Sequence, residues 1–124
     1  MANPNIVSVA SIYGNTVYDT DIAASAASLV SNAASSGKIY KINSLIIANI
    51  DGTNSADITV TLRNAAGDTT HSTIANTVAV PADATLIVVS KDTSIYLEED
   101  MSLYVLASAA GDLSATCSYE EISE

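Results

Sequence analysis

Apolar and polar residues alternate with a period of two along most of this chain, the pattern of strands half buried in a sheet. The clearest run is Ala56 to Arg63. There Ile58, Val60 and Leu62 fall on one face, and Asp57, Thr59, Thr61 and Arg63 on the other. Similar segments rich in Ile, Val, Thr and Tyr recur between clusters of Gly, Asn, Asp and Ser. Ile6 to Ser11 reads as a first strand, and Tyr13 to Asn15 as the turn after it. Ile39 to Ile50 is the longest apolar stretch. Strict alternation sets Ile42, Ile46, Ala48 and Ile50 inward, with Lys41, Asn43, Leu45, Ile47 and Asn49 on a second, partly covered face. Asp51 to Ser55 and Asn64 to Asp68 read as turns. A weak strand is expected around His71 to Ala75, and another from Thr77 to Val80. Pro81 to Asp83 then turns the chain, because proline fixes φ and cannot donate to a ladder. Leu86 to Ser90, Ile95 to Leu97, Leu103 to Ser108 and Leu113 to Ile122 complete the set, with turns at Lys91 to Thr93, Glu98 to Asp100 and Ala110 to Asp112.

Asp21 to Gly37 fits two readings. Ile22, Ala26, Leu29, Val30 and Ala33 would line one face of a helix capped by Thr20 or Asp21 and ended by Gly37. Ser25, Ser28, Ser31 and Asn32 are mediocre helix residues, and Ala27 to Asn32 also alternates, which favours a loop followed by a strand. About eight short strands with frequent turns and no βα alternation predict an all-β chain. The expected fold is a two-sheet antiparallel β-sandwich, jelly roll or immunoglobulin-like, spanning residues 1–124 as one domain. Residues 1–6 read as an N-terminal arm.

Composition sharpens this. Hydrophobic residues make up 48% of the chain and charged residues only 15%, against roughly 25% in ordinary soluble domains. Ala, Ser and Thr must therefore cover much of the surface. Disorder requires low hydrophobicity, and no apolar run approaches the roughly 20 residues of a membrane helix, so neither is expected. Met1 to Asn5 shows no basic or apolar signal region, and a single cysteine cannot make an internal disulfide. The net charge is −10, with only Lys38, Lys41, Arg63 and Lys91 as cations. Such a chain is unsuited to the phosphate contacts of nucleic-acid binding.

Chemistry is sparse. His71 is the sole histidine, so any Ser-His-Asp arrangement would have to use it; it reads instead as an exposed strand-edge residue. Cys117 alternates with Ala115 and Tyr119 and has only acids as near charges, which suits a small core residue rather than a reactive thiol. Zinc would lack ligands. Asp51, Asn54 and Asp57 concentrate oxygen donors in one turn and form a weak calcium candidate without EF-hand spacing. No cofactor motif is present, and an enzyme is not expected. Tyr13 and Tyr18 are the aromatics best placed for external contact, whether with a glycan or with protein. With the arm residues Ala2, Asn3, Pro4, Asn5 and Ile6, they are the candidate interface.

The segments Gly37 to Gly52, Ala56 to Leu62, Val80 to Leu86, Lys91 to Leu103 and Cys117 to Ile122 resemble, in order and content, a group of small virion structural proteins of tailed bacteriophages, particularly phages of aquatic bacteria. The resemblance spans residues 37–122 and is carried by structural rather than catalytic motifs. It implies a β-sandwich made in the host cytoplasm and placed in the virion. The outer capsid surface is the expected site, where the protein would act as a decoration or cement protein on the major capsid protein. A tail, neck or fibre accessory is the alternative. It also implies a homo-oligomer, trimer or dimer, and supplies no catalytic residues. A neutral surface suits such packing, and acidic charge keeps the free subunit soluble.

Overall fold

In the computed structural model, which describes residues 3–124, the alternating segments become strands that pair antiparallel throughout. They are β1 (Ser11–Asp19), β2 (Ala27–Asn32), β3 (Lys38–Asn49), β4 (Ala56–Asn64), β5 (Thr70–Val80), β6 (Thr85–Val89), β7 (Ile95–Leu97), β8 (Met101–Ala107) and β9 (Leu113–Ser123). One sheet runs β1-β9-β3-β6, with β7 pairing the other half of β3; the second runs β2-β8-β4-β5. Strands cross repeatedly from one sheet to the other, and this order is that of a jelly roll rather than an immunoglobulin fold. Asp21 to Gly37 is a loop followed by β2, as the serines favoured.

Ile22, Ile42, Leu45, Ile47, Ile58, Val60, Leu97, Leu103 and Val105 fill the space between the sheets, each essentially inaccessible to water. Two buried asparagines tie loops to this core. Asn32, at the end of β2, donates its amide to the carbonyls of Lys38 and Leu97 and accepts from Ser36. Asn49, at the end of β3, donates to the carbonyls of Asn54 and Val80 and accepts from the Asp51 N–H.

Three expectations are corrected. Tyr13 to Asn15 is not a turn but lies inside β1, whereas Ile6 to Ser8 lies in a turn closed by the Ser8 N–H on the Asn5 carbonyl. Pairing with β9 holds Ser11 to Asp19 extended, overriding the local turn preference of Gly14 and Asn15. In β3 a bulge between Ile42 and Ser44 inserts one residue and reverses the facing of everything beyond it. Leu45, Ile47 and Asn49 therefore point inward, while Ile46, Ala48 and Ile50 point out. The two weak strands around His71 and Val78 are one bulged strand, β5, in which Thr77 takes φ 47°. Of the N-terminal arm, the described residues Asn3 and Pro4 lie against the body. Pro4 is buried and the Asn3 amide donates to the Glu98 carboxylate.

Candidate functional site

Charge and neutral surface are separated in space. The backbone bonds Ile22 N–H to Leu113, Ile50 N–H to Asp112 and Asp83 N–H to Asp51 gather four acid-bearing loops, those of Asp21, Asp51, Asp83 and Asp112, at one end of the sandwich. At the opposite end the Asp100 N–H reaches the Asn32 carbonyl, bringing Glu98 to Asp100 beside the start of β3. Between these ends, register fixes what the outer face of the β1-β9-β3-β6 sheet displays. Tyr18, Thr116, Ile46 and Ile87 form one row across all four strands. Flanking rows hold Thr16, Ser118 and Ser44 on one side and Ser114, Ala48 and Thr85 on the other. Tyr18 is 72% and Ile87 62% exposed. The charges on this face, Lys41 and Glu120, lie directly opposite each other. Apart from that pair the strands show water only neutral residues here, with large apolar side chains left exposed, a composition common at protein contacts.

The calcium candidate does not assemble. Asp51 spends its carboxylate on its own loop, accepting the backbone N–H of Thr53 and Asn54 and the Asn54 amide. The amide nitrogen of Asn54 thus points at the carboxylate that was to share a cation with it. Asp57 lies beyond the turn in β4, its backbone held by Ser108. Among the described residues there is no group of three His, Cys, Asp or Glu able to hold a metal.

What meets Asp51 instead is Asp112, from the turn before β9, with Asp21 nearby accepting the Gly111 N–H. Partial desolvation, then the hydrogen bond and negative charge of Asp51, and then the charge of Asp21 raise the Asp112 carboxyl above its ordinary 3.8. The backbone N–H bonds of its loop lower that of Asp51. Sequence reasoning missed this trio because its members are far apart in the chain. Asp112 holds its proton more tightly folded than unfolded, so its contribution to stability is present at low pH and lost as pH rises through its folded pKa. Asp51 runs the other way, its contribution being lost as pH falls through its lowered value. In a carboxyl-detected NMR titration, Asp112 should titrate above and Asp51 below the ordinary range. Asp51→Asn should bring Asp112 down part of the way, because desolvation remains. An unmoved Asp112 would show that the two do not interact.

His71 is exposed on the edge strand β5. Cys117 is wholly buried beside Leu45 and Val17, and burial pushes its thiol up to about 12. Thiolate is the reactive form, so a thiol reagent should leave the native chain unlabelled at mildly alkaline pH and react fully after unfolding. Rapid labelling of the native chain would contradict this burial.

The candidate interface residues divide. Ala2 lies outside the described residues. Asn3 and Pro4 rest on the body, Asn5 shapes the turn through its carboxamide on the Val7 N–H, and Ile6 is half exposed at its tip. Tyr13 and Tyr18 are both exposed on β1, but at odd and even positions they project to opposite faces. They do not form one platform for stacking a sugar. A cleft of about 290 Å³ lies between Asn3, Ser35, Glu98, Glu99 and Met101. In it the Gly37 N–H holds one oxygen of Glu99, while the other is covered and has no partner among the described residues.

No protein-family model matches the chain, and no curated protein does. Among solved structures it is similar to a protein from Bacillus endospore appendages, described as a novel family of disulfide-linked pili. The TM-score is 0.53 and the identity 19%, over 91% of this chain and 88% of that one. At that identity the likeness concerns the fold.

Proposed function

We propose that this chain is a non-enzymatic structural subunit that works packed among other proteins, as a decoration protein bound to the major capsid protein on the outside of a tailed-phage head. The observation that carries the reading is the charge-poor outer face of the β1-β9-β3-β6 sheet, with Tyr18, Ile46 and Ile87 in one row, Lys41 set opposite Glu120, and the loop acids gathered at the two ends. Burying the row of Tyr18, Thr116, Ile46 and Ile87 releases ordered water without stripping charges of their solvation. The acidic ends keep the free subunit soluble and repel packaged nucleic acid. The segment order that resembles small phage virion proteins supports the particle, and the likeness to an appendage protein supports a life in assemblies.

One feature of that neighbour does not transfer. Its pili are described as disulfide-linked, whereas the single cysteine here, Cys117, is sealed in the core. A disulfide through Cys117 therefore does not join copies of this chain.

Capsids carrying the protein should melt at a higher temperature than capsids stripped of it, and Ile87→Lys with Tyr18→Lys should abolish binding without unfolding the subunit. Identical capsid melting would overturn the stabilising role. A tail, neck or fibre accessory is the second reading, favoured by the likeness to an appendage subunit. Immunogold labelling confined to one vertex or to the tail would select it; labelling over the whole head selects decoration.

A further inference from the structure

Among the described residues β1 pairs with β9 alone, and its other edge is built differently from the other edges of the sandwich. β5 carries register shifts at three places and a residue at positive φ, and β2 carries one shift. β6 and β7 are 5 and 3 residues long and divide the far edge of β3 between them. These are ordinary protections against edge-to-edge pairing. β1 has none of them. It runs for 9 residues in unbroken register with β9, contains no proline, and bears a single charge at its last residue, Asp19. Ile12, Tyr13 and Tyr18 on this strand are 53%, 60% and 72% exposed. A long, regular edge with no charge before its last residue invites a strand.

We infer that β1 pairs antiparallel with β1 of a second copy, about a two-fold axis at Asn15, joining two four-strand paths into one continuous sheet. The strand is self-complementary in that register. Ile12 falls opposite Tyr18 of the second copy on the outer face, and Tyr13 opposite its Val17 on the other. Gly14 faces Thr16, and Asn15 meets Asn15. Every large exposed side chain of the strand gains an apolar cross-strand neighbour twice over, by symmetry. Asp19 lands beside Ser11 rather than beside another acid. A slip of the axis to Gly14 leaves Tyr18 without a partner, and a slip to Thr16 sets Tyr13 against Asp19. The pairing also continues the row of Tyr18, Thr116, Ile46 and Ile87 into Ile12, Ile122 and Ile39 of the second copy, so the outer faces proposed above for contact become one surface. The inference rests on that assembly reading only in choosing a second copy as the occupant. It is measured on the isolated chain, so a dimer without capsid stabilisation, or the reverse, separates the two.

Sedimentation or light scattering of the purified chain should give a concentration-dependent mass of twice 12.7 kDa. Ile12→Lys alone and Tyr18→Glu alone should each weaken the dimer by roughly tenfold or more. The double variant should recover it, because each new lysine then faces a new glutamate on the other copy. Within one chain the two positions are about 20 Å apart, too far to rescue each other. Independently, Asn15→Cys should cross-link to a dimer on mild oxidation, since directly paired residues place their Cα atoms within disulfide range and Cys117 is shielded. A chain that stays monomeric at its highest soluble concentration, an Asn15→Cys variant that does not cross-link, or a double variant no tighter than the singles would overturn the pairing.

Discussion

Leu45→Ala should lower the unfolding free energy by about 2–5 kcal/mol, while Ile46→Ala, one residue along, should cost about 1 kcal/mol or less. Leu45 is completely buried, opposite Cys117 on β9 and Val89 on β6. Its truncation removes buried methyl groups and leaves a cavity in a core whose other walls are strands fixed by their ladders. Ile46 lies on the outer face opposite Thr116 and Ile87, where alanine surrenders only part of a contact with water-exposed neighbours. Denaturant melts of the two variants measure the difference directly. The opposite ranking would mean that the strand faces the core without the bulge at Ile42 and Ser44, and the charge-poor face described here would then not exist.

Asn49→Ala should cost about 3 kcal/mol, a loss comparable with that of a core aliphatic although no apolar contact is removed. The side chain is nearly inaccessible and makes three hydrogen bonds, to the Asn54 and Val80 carbonyls and from the Asp51 N–H. Without it, the Val80 carbonyl is left buried with no donor from this side chain, and the loop carrying Asp51 loses its tie to the end of β3. Asn49→Asp isolates the donor's role. The shape is kept, but an acceptor replaces the amide that faced two carbonyl oxygens. That environment favours the protonated carboxyl and raises its folded pKa, so this variant gains stability relative to Asn49→Ala at low pH and loses it as pH rises. Equal pH profiles for the two would show that the amide's hydrogen bonds are not what holds the loop.

Asn49 also shows why some of the structure was hard to read from residues. In a strictly alternating β3 it falls on the secondary face, as a polar residue of no special note. Its burial follows only once the bulge has turned it inward and Val80, distant in sequence, has arrived opposite. The same holds for the Asp21, Asp51 and Asp112 carboxylates, which three separate turns bring to one end. The calcium candidate failed for the complementary reason. Clustered oxygen-bearing residues in a short turn can satisfy their own backbone, and Asp51 and Asn54 do so. Tyr13 and Gly14 looked like a turn because local preference is a weak signal beside a full ladder to β9.

Local chemistry alone determined that this is an all-β chain of alternating strands, where most turns fall, that Cys117 belongs to the core, and that the surface is poor in charge. Those properties depend on each residue's own preference for water and on its immediate neighbours, both of which are written along the chain. Tertiary structure decided the jelly-roll order, the reversal of facing within β3, the gathering of acids at the ends and the single uncharged row across four strands. Each of these depends on register between segments distant in sequence. One inserted residue moves every following side chain to the other face, and pairing energy, not periodicity, chooses where that residue goes.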